Sequence, residues 1–287
     1  MAPRWAPALR VGPPPTWARF KPDRLLGHRD RRDRLRVDLD TEAVMEEATR
    51  EAAEPRSVDA GRGTSWWSEA WALFTKNAGM WIVLALILIG IFVVLSLIPF
   101  LGALASSLLV PVFVGGWLLA ARKAETGAAL EVGDLFAGFK DKLTPLLVLG
   151  ALLLVATVVI AAVVGALGLG AFMGMMMGGA QSSAGGMAAA MSAGMLALLV
   201  GLALGLVVAM AIWFAPALVV FRNVAPVDAL KASVSASLKN IVPFLLYGVI
   251  YIVAAIVASI PLGLGWIVLV PVLLLTVYVS YKDVFGE

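Results

Sequence analysis

Three long stretches of this chain carry no Asp, Glu, Lys, Arg or His: residues 77–121, 143–221 and 240–281. A helix needs about 20 apolar residues to cross about 30 Å of hydrocarbon, so each stretch is long enough to cross a bilayer and return. Backbone groups find no water in that slab, which leaves helices as the form such runs take. The pattern predicts an all-α, polytopic bundle of six transmembrane helices in three hairpins: about 79–98 and 103–121, 145–169 and 195–220, 242–260 and 264–281. The expected turns are Ile98-Pro99-Phe100-Leu101-Gly102, a Gly/Ala/Met-rich stretch in the second hairpin, and Ile260-Pro261-Leu262-Gly263. Pro and Gly suit places where helix ends leave backbone groups to be hydrated at the interface.

A short amphipathic segment precedes each hairpin. Trp71-Ala72-Leu73-Phe74-Thr75-Lys76-Asn77, Phe136-Ala137-Gly138-Phe139-Lys140-Asp141-Lys142 and Val234-Ser235-Ala236-Ser237-Leu238-Lys239-Asn240 align. In the latter two a proline follows, Pro145 and Pro243, where it suits the first turn of a new helix; the first has Met80 there. Another proline recurs in each returning helix, at Pro111, Pro216 and Pro271. The unit reads as interfacial helix plus hairpin, present three times. Trp67, Trp71 and Phe74 in the first lead-in, and Leu230, Val234, Leu238 and Ile241 in the third, have the spacing of a helix lying on a membrane surface. Asp134 and Asp228 stand where a first-turn acid helps a helix start.

Charge orients the hairpins. Arg122, Lys123, Lys140 and Lys142 lie between the first two stretches, Arg222, Lys231 and Lys239 between the last two, and Lys76 and Lys282 flank the ends. All fall on one side, so the positive-inside rule predicts cytoplasmic N- and C-termini in a bacterial inner membrane. The formal net charge of +3 does not imply a nucleic-acid partner. Residues 1–44 hold ten Lys/Arg and six Asp/Glu, whereas the rest is close to neutral.

Residues 1–60 are rich in Pro, Arg and Asp, as in His28-Arg29-Asp30-Arg31-Arg32-Asp33-Arg34, and lack an apolar period that could build a core. They are expected to form a disordered polar tail ahead of a membrane domain at 61–287. Met45-Glu46-Glu47 also has the look of an ordinary start, which would make 1–44 an over-extension; a basic binding segment is the third reading. No cleavable signal sequence is visible, so the first span is expected to direct insertion.

Val58-Asp59-Ala60-Gly61-Arg62-Gly63, Trp66-Trp67-Ser68-Glu69-Ala70-Trp71-Ala72-Leu73-Phe74 and Leu238-Lys239-Asn240-Ile241-Val242-Pro243-Phe244-Leu245-Leu246-Tyr247-Gly248 resemble a bacterial family of uncharacterised six-helix membrane proteins. That family is loosely similar to the membrane domain attached to some glycerophosphodiester phosphodiesterases. The resemblance covers about residues 57–287. It implies a multi-pass membrane domain; no phosphodiesterase domain is present to bring the activity.

Candidate chemistry is sparse. With no Cys, and His28 alone in the tail, thiolate catalysis, Cys-ligated metals and His relays lose their residues. The spans contain no ionisable Asp, Glu, Lys, Arg or His, the usual mark of proton or ion handling. Thr157, Tyr247, Tyr251, Ser259 and Thr276 could line a path, although hydroxyls in helices more often bond their own carbonyls. Glu125, Glu131, Asp134 and Asp141 read as solvated or capping acids. Ala161/Gly165 and Gly201/Gly205 read as close helix packing rather than a dimer seam. Soft thioethers at Met173, Met175, Met176, Met177, Met187, Met191 and Met195 are candidates for a soft cation such as Cu(I), against a plain apolar loop. No catalytic residue and no cofactor is expected. The functional expectation is a non-enzymatic membrane-structural, lipid-associated or partner-binding role, with the bilayer as partner and a homo-oligomer or membrane-protein partner open. The alternative is a permease or channel for an uncharged or apolar solute.

Overall fold

A computed structural model of the protein describes residues 54–140, 142–177 and 184–286. Its α-helices are α1 Arg62–Lys76, α2 Ala78–Ser96, α3 Leu101–Glu125, α4 Leu143–Met177, α5 Ala184–Arg222, α6 Pro226–Lys239, α7 Ile241–Ser259 and α8 Trp266–Phe285, with a 3-10 helix at Val132–Phe139. No strand occurs among the described residues. Among the described residues six helices are long and apolar enough to cross a membrane, and they pair as the three expected hairpins.

The repeats share their joints. Asn77 (φ −141°, ψ 38°) ends α1 and starts α2, and Asn240 (φ −119°, ψ 34°) does the same for α6 and α7. The carbonyl of each accepts the N–H four residues on, at Trp81 and Phe244. The turns of the first and third hairpins also match. Phe100 and Leu262 follow Pro99 and Pro261 and both take positive φ, 61° and 54°. A Cβ on Gly102 would lie 1.7 Å from the Leu95 carbonyl oxygen, and one on Gly265 would lie 2.7 Å from that of Ala258. In each case the carbonyl belongs to the residue seven positions back, so glycine lets the two legs close at the same place. Phe100 and Leu262 are almost fully exposed at these tips, where an apolar side chain meets lipid.

Docking of the lead-in segments closes the bundle. The 3-10 helix packs on α3 and α2, and α6 packs on α5 and α4, each against the hairpin before it. α1 has no hairpin before it and packs on α8 and α7, the last hairpin, so the three contacts form a cycle. The returning helices α3, α5 and α8 touch one another pairwise at the centre, with Pro111, Pro216 and Pro271 buried. α2, α4 and α7 each pack on their own returning helix, and α2 packs also on α8 and α4 on α3.

Small residues make each docking possible. A Cβ on Gly63 would sit 2.0 Å from the Pro243 carbonyl oxygen, and one on Gly138 would sit 2.2 Å from that of Val112. In α6 the buried face is Ala229, Ser233, Ala236 and Ser237. Ser233 enters the α5 ladder: the Phe214 N–H donates to its Oγ at 3.0 Å, and that Oγ donates to the Met210 carbonyl at 2.6 Å. Of the stripe Leu230, Val234, Leu238 and Ile241 expected to face the membrane surface, Leu230 is partly buried and packs against the core. Leu238 and Ile241 are exposed toward lipid, because only small side chains let α6 come this close. The second lead-in is a 3-10 helix rather than an α-helix. It carries a reciprocal cap in which Asp134 accepts the Glu131 N–H at 2.7 Å, as a first-turn acid should.

Two expectations are corrected. Residues 54–60 do not belong to a disordered tail. Arg56 donates its N–H to the Val284 carbonyl at 2.8 Å, and buried Asn240 accepts the Val58 N–H at 2.8 Å and donates to the Arg56 carbonyl at 2.9 Å. Asn240 thereby satisfies the backbone of a segment that has no secondary structure of its own. Residues 1–53, and with them the start at Met45, lie outside the described residues. The spans of the second hairpin fall as expected, at Leu143–Gly170 and Met191–Arg222, but the stretch between them is not all turn: α4 runs 35 residues to Met177 and α5 starts at Ala184 and runs 39. Ala and Met are strong helix formers and the extension holds no proline, so composition favours continuing the helix. These helices measure about 52 and 58 Å, well beyond the hydrocarbon thickness, so they tilt or protrude.

The small-residue pairs split. Gly201 faces Val164 across the hairpin, with a Cβ there 3.0 Å from its methyl, whereas Gly165 and Gly205 have nothing within 4 Å. Close packing holds at the first position and not at the other two. Gly63→Val and Gly138→Val are each expected to lower stability by about 1–3 kcal/mol, since the carbonyl they meet cannot retreat as a flexible side chain would. Gly165→Ala should leave it unchanged or raise it by up to about 1 kcal/mol. Thermal unfolding of the detergent-solubilised protein checks all three.

Candidate functional site

The sequence of α1 gives the helix three faces. At 100° per residue, Gly63, Trp66, Ala70 and Phe74 share one face, and it is buried. Arg62, Glu69, Leu73 and Lys76 share a second, which borders a charged cleft of about 630 Å³. Trp67, Ser68 and Trp71 share the third, which borders an apolar groove of about 610 Å³.

The cleft is built where α1 meets the ends of α3 and α8. Asp283 accepts from Arg62 Nε at 2.6 Å and from Trp66 Nε1 at 2.9 Å. Arg62 Nη2 also lies 2.9 Å from Glu69 Oε1. The hydrogen bond from Arg62 to Asp283, against partial burial and with help from Glu69, raises the guanidinium above its ordinary pKa, so it stays charged. Glu125 accepts from Tyr278 Oη at 2.7 Å and from Lys282 Nζ. Arg56 and Gly286 complete the rim. These groups bring together residues more than 150 positions apart.

The groove lies between the legs of the third hairpin. Ala254, Val257 and Ala258 of α7 face Gly265, Val268, Leu269 and Val272 of α8, with Pro261 at the far end. Trp67 is fixed at the near end by stacking on Tyr247, ring centroids 5.0 Å apart, and by donating to the Tyr247 carbonyl at 3.3 Å. Ser68 is the one lining residue with a polar side chain besides the two indoles.

The hydroxyls considered for a path fall elsewhere. Tyr247 and Thr276 are buried and bonded to each other at 3.0 Å, and Thr276 donates to the Leu273 carbonyl at 2.7 Å. Thr157 donates to the Leu153 carbonyl and Ser259 to that of Ala255, and Tyr251 is partly exposed on α7. Met173, Met175, Met176 and Met177 lie in the last turns of α4, and Met187, Met191 and Met195 in the first half of α5. The side chains of Met173, Met191 and Met195 are exposed, and those of Met175, Met176, Met177 and Met187 lie outside the described residues. Asp141 also lies outside them. Among the described residues no group of three His, Cys, Asp or Glu could hold a metal ion. The sequence did not reveal the cleft: Lys76 and Lys282 were visible as charges at span ends, a signal used for topology alone, and Glu125 reads there as a solvated or capping acid.

Residues 77–282 match a family described as a domain of unknown function, DUF7847. The chain is also similar to a probable inner membrane protein of Burkholderia thailandensis, 30% identical over 250 residues that span 80% of this chain and 93% of that one. No solved structure matches.

Asp283→Ala is expected to cost about 1–3 kcal/mol, since it strands two donors at once. Glu69→Ala, whose partner pair is half-exposed, should cost under about 1 kcal/mol. Comparing the melting temperatures of the two variants checks the ranking.

Proposed function

We propose that this chain, which belongs to the DUF7847 family, is a non-enzymatic lipid-binding protein of the bacterial inner membrane, holding an acyl chain of a bilayer lipid in the groove between α7 and α8. One observation carries the reading: the two legs of a membrane-spanning hairpin part to leave about 610 Å³ of apolar space, roofed by Trp67 and Trp71. Both walls belong to spans, so the molecules at its mouth are lipid tails, and the lining offers them methyl and ring contacts. The name of the Burkholderia relative supports the inner membrane. The positive-inside rule supports placing the charged cleft, and both termini, on the cytoplasmic side. The likeness to membrane domains attached to some glycerophosphodiester phosphodiesterases belongs to the same proposal, without the activity.

A permease for an uncharged or apolar solute is the second reading. Pro111, Pro216 and Pro271, buried on the three central helices, favour it because each leaves one carbonyl of its helix without its usual donor. In the lipid-binding reading the protein retains phospholipid through mild detergent purification. Ala254→Phe, which fills the groove, should reduce that retention several-fold in native mass spectrometry without lowering the melting temperature. Equal retention by wild type and variant contradicts the groove as the site, and flux in reconstituted vesicles would favour the permease.

A further inference from the structure

The charged cleft lies on the opposite flank of α1 from the groove, and its side chains do not cancel. Among the described residues each carboxylate lining it is already engaged: Asp283 by Arg62 and Trp66, Glu69 by Arg62, and Glu125 by Lys282 and Tyr278. Two further cations, Arg56 and Lys76, line the same space. Arg56 is held there by its backbone. Its N–H donates to the Val284 carbonyl, and its own carbonyl accepts from Asn240. Lys239 also donates to the Pro55 carbonyl at 3.1 Å. The guanidinium lies over Gly286, whose positive φ of 74° caps α8, and a Cβ at that position would fall 1.1 Å from Arg56 Nη2. A glycine there both permits the turn and leaves the guanidinium its place. Lys76, at the exposed C-terminal end of α1, reaches the cleft from the side of Glu125.

We propose that this cleft binds a phosphate-bearing anion between Arg56 and Lys76. Phosphate fits better than a carboxylate, because it carries enough oxygens to take the two-pronged guanidinium and the ammonium together. The volume of about 630 Å³ leaves room for the organic group attached to it and falls within the usual range for small-molecule sites. The phosphate is either that of a lipid headgroup at the membrane surface or that of a soluble metabolite; both present the same oxygens. The proposal stands apart from the acyl-chain groove, so the failure of one leaves the other in place.

The test uses the full chain in detergent and in nanodiscs, with Arg56→Gln, Lys76→Gln and Lys76→Arg. For a soluble source, inorganic phosphate raises the wild-type melting temperature above that in chloride of matched ionic strength. The apparent affinity then falls about tenfold in each Gln variant and recovers in Lys76→Arg. For a headgroup source, free phosphate does nothing. Nanodisc-derived protein instead retains phosphatidylglycerol over phosphatidylcholine several-fold, a preference both Gln variants lose. Either result supports the site. No response to either probe, or Gln variants that bind as wild type does, overturns it. Should Arg56→Gln fail to fold, Lys76→Gln, at an exposed helix end, decides alone.

Discussion

The rest of the structure depends on three close approaches between lead-in segments and hairpins: the second and third lead-ins dock on the hairpin before them, and α1 docks on the last. In a membrane no hydrophobic force pulls apolar helices together, because lipid tails are as apolar as they are. Association then rests on van der Waals contact and on the few hydrogen bonds that cross between elements, worth about 0.6–2 kcal/mol each. Gly63 on the Pro243 carbonyl and Gly138 on that of Val112 supply the first; Ser233, bridging Phe214 and Met210, supplies the second. Because α1 docks on the last hairpin, the chain closes on itself, and the three returning helices are drawn to the centre.

The same closure produces both spaces flanking α1. α1 lodges its buried face, with Trp66 and Phe74, against both legs of the third hairpin. On the membrane side the gap between those legs is the groove beneath Trp67 and Trp71. On the other side the charges of α1 meet those at the ends of α3 and α8, far apart in the chain, and enclose the cleft. In the second hairpin α4 and α5 pack along each other with Gly201 against Val164.

Topology was legible because it depends on one-dimensional quantities: the length of charge-free runs and the side on which Lys and Arg fall. The internal repetition was legible in the aligned lead-ins and in Pro111, Pro216 and Pro271. Which hairpin each lead-in docks on was not, since it depends on the fit of Gly63 to a carbonyl 180 residues away. Periodicity marked Leu230, Val234 and Leu238 as the membrane-surface face of α6 and was silent on the face that docks, which uses Ala and Ser. Hydrophobicity ranks side chains by their aversion to water, and in lipid the closest contact goes to the smallest. The length of α4 and α5 was hidden by glycines that read as a turn. The cleft was hidden because Arg62, Glu125 and Asp283 carry no local pattern; only the cyclic closure makes them neighbours.

The cycle can be measured directly, because the chain has no native cysteine. Cysteine pairs Phe139/Phe113 and Ser233/Phe214 each join a lead-in to the preceding hairpin, Trp67/Tyr247 joins α1 to the last one, and Trp67/Phe113 would join α1 to its own. Treating intact membranes with a short bifunctional maleimide should crosslink the first three pairs within one chain and leave the fourth unlinked. A crosslink at Trp67/Phe113 without one at Trp67/Tyr247 would place α1 on its own hairpin and contradict the closed cycle.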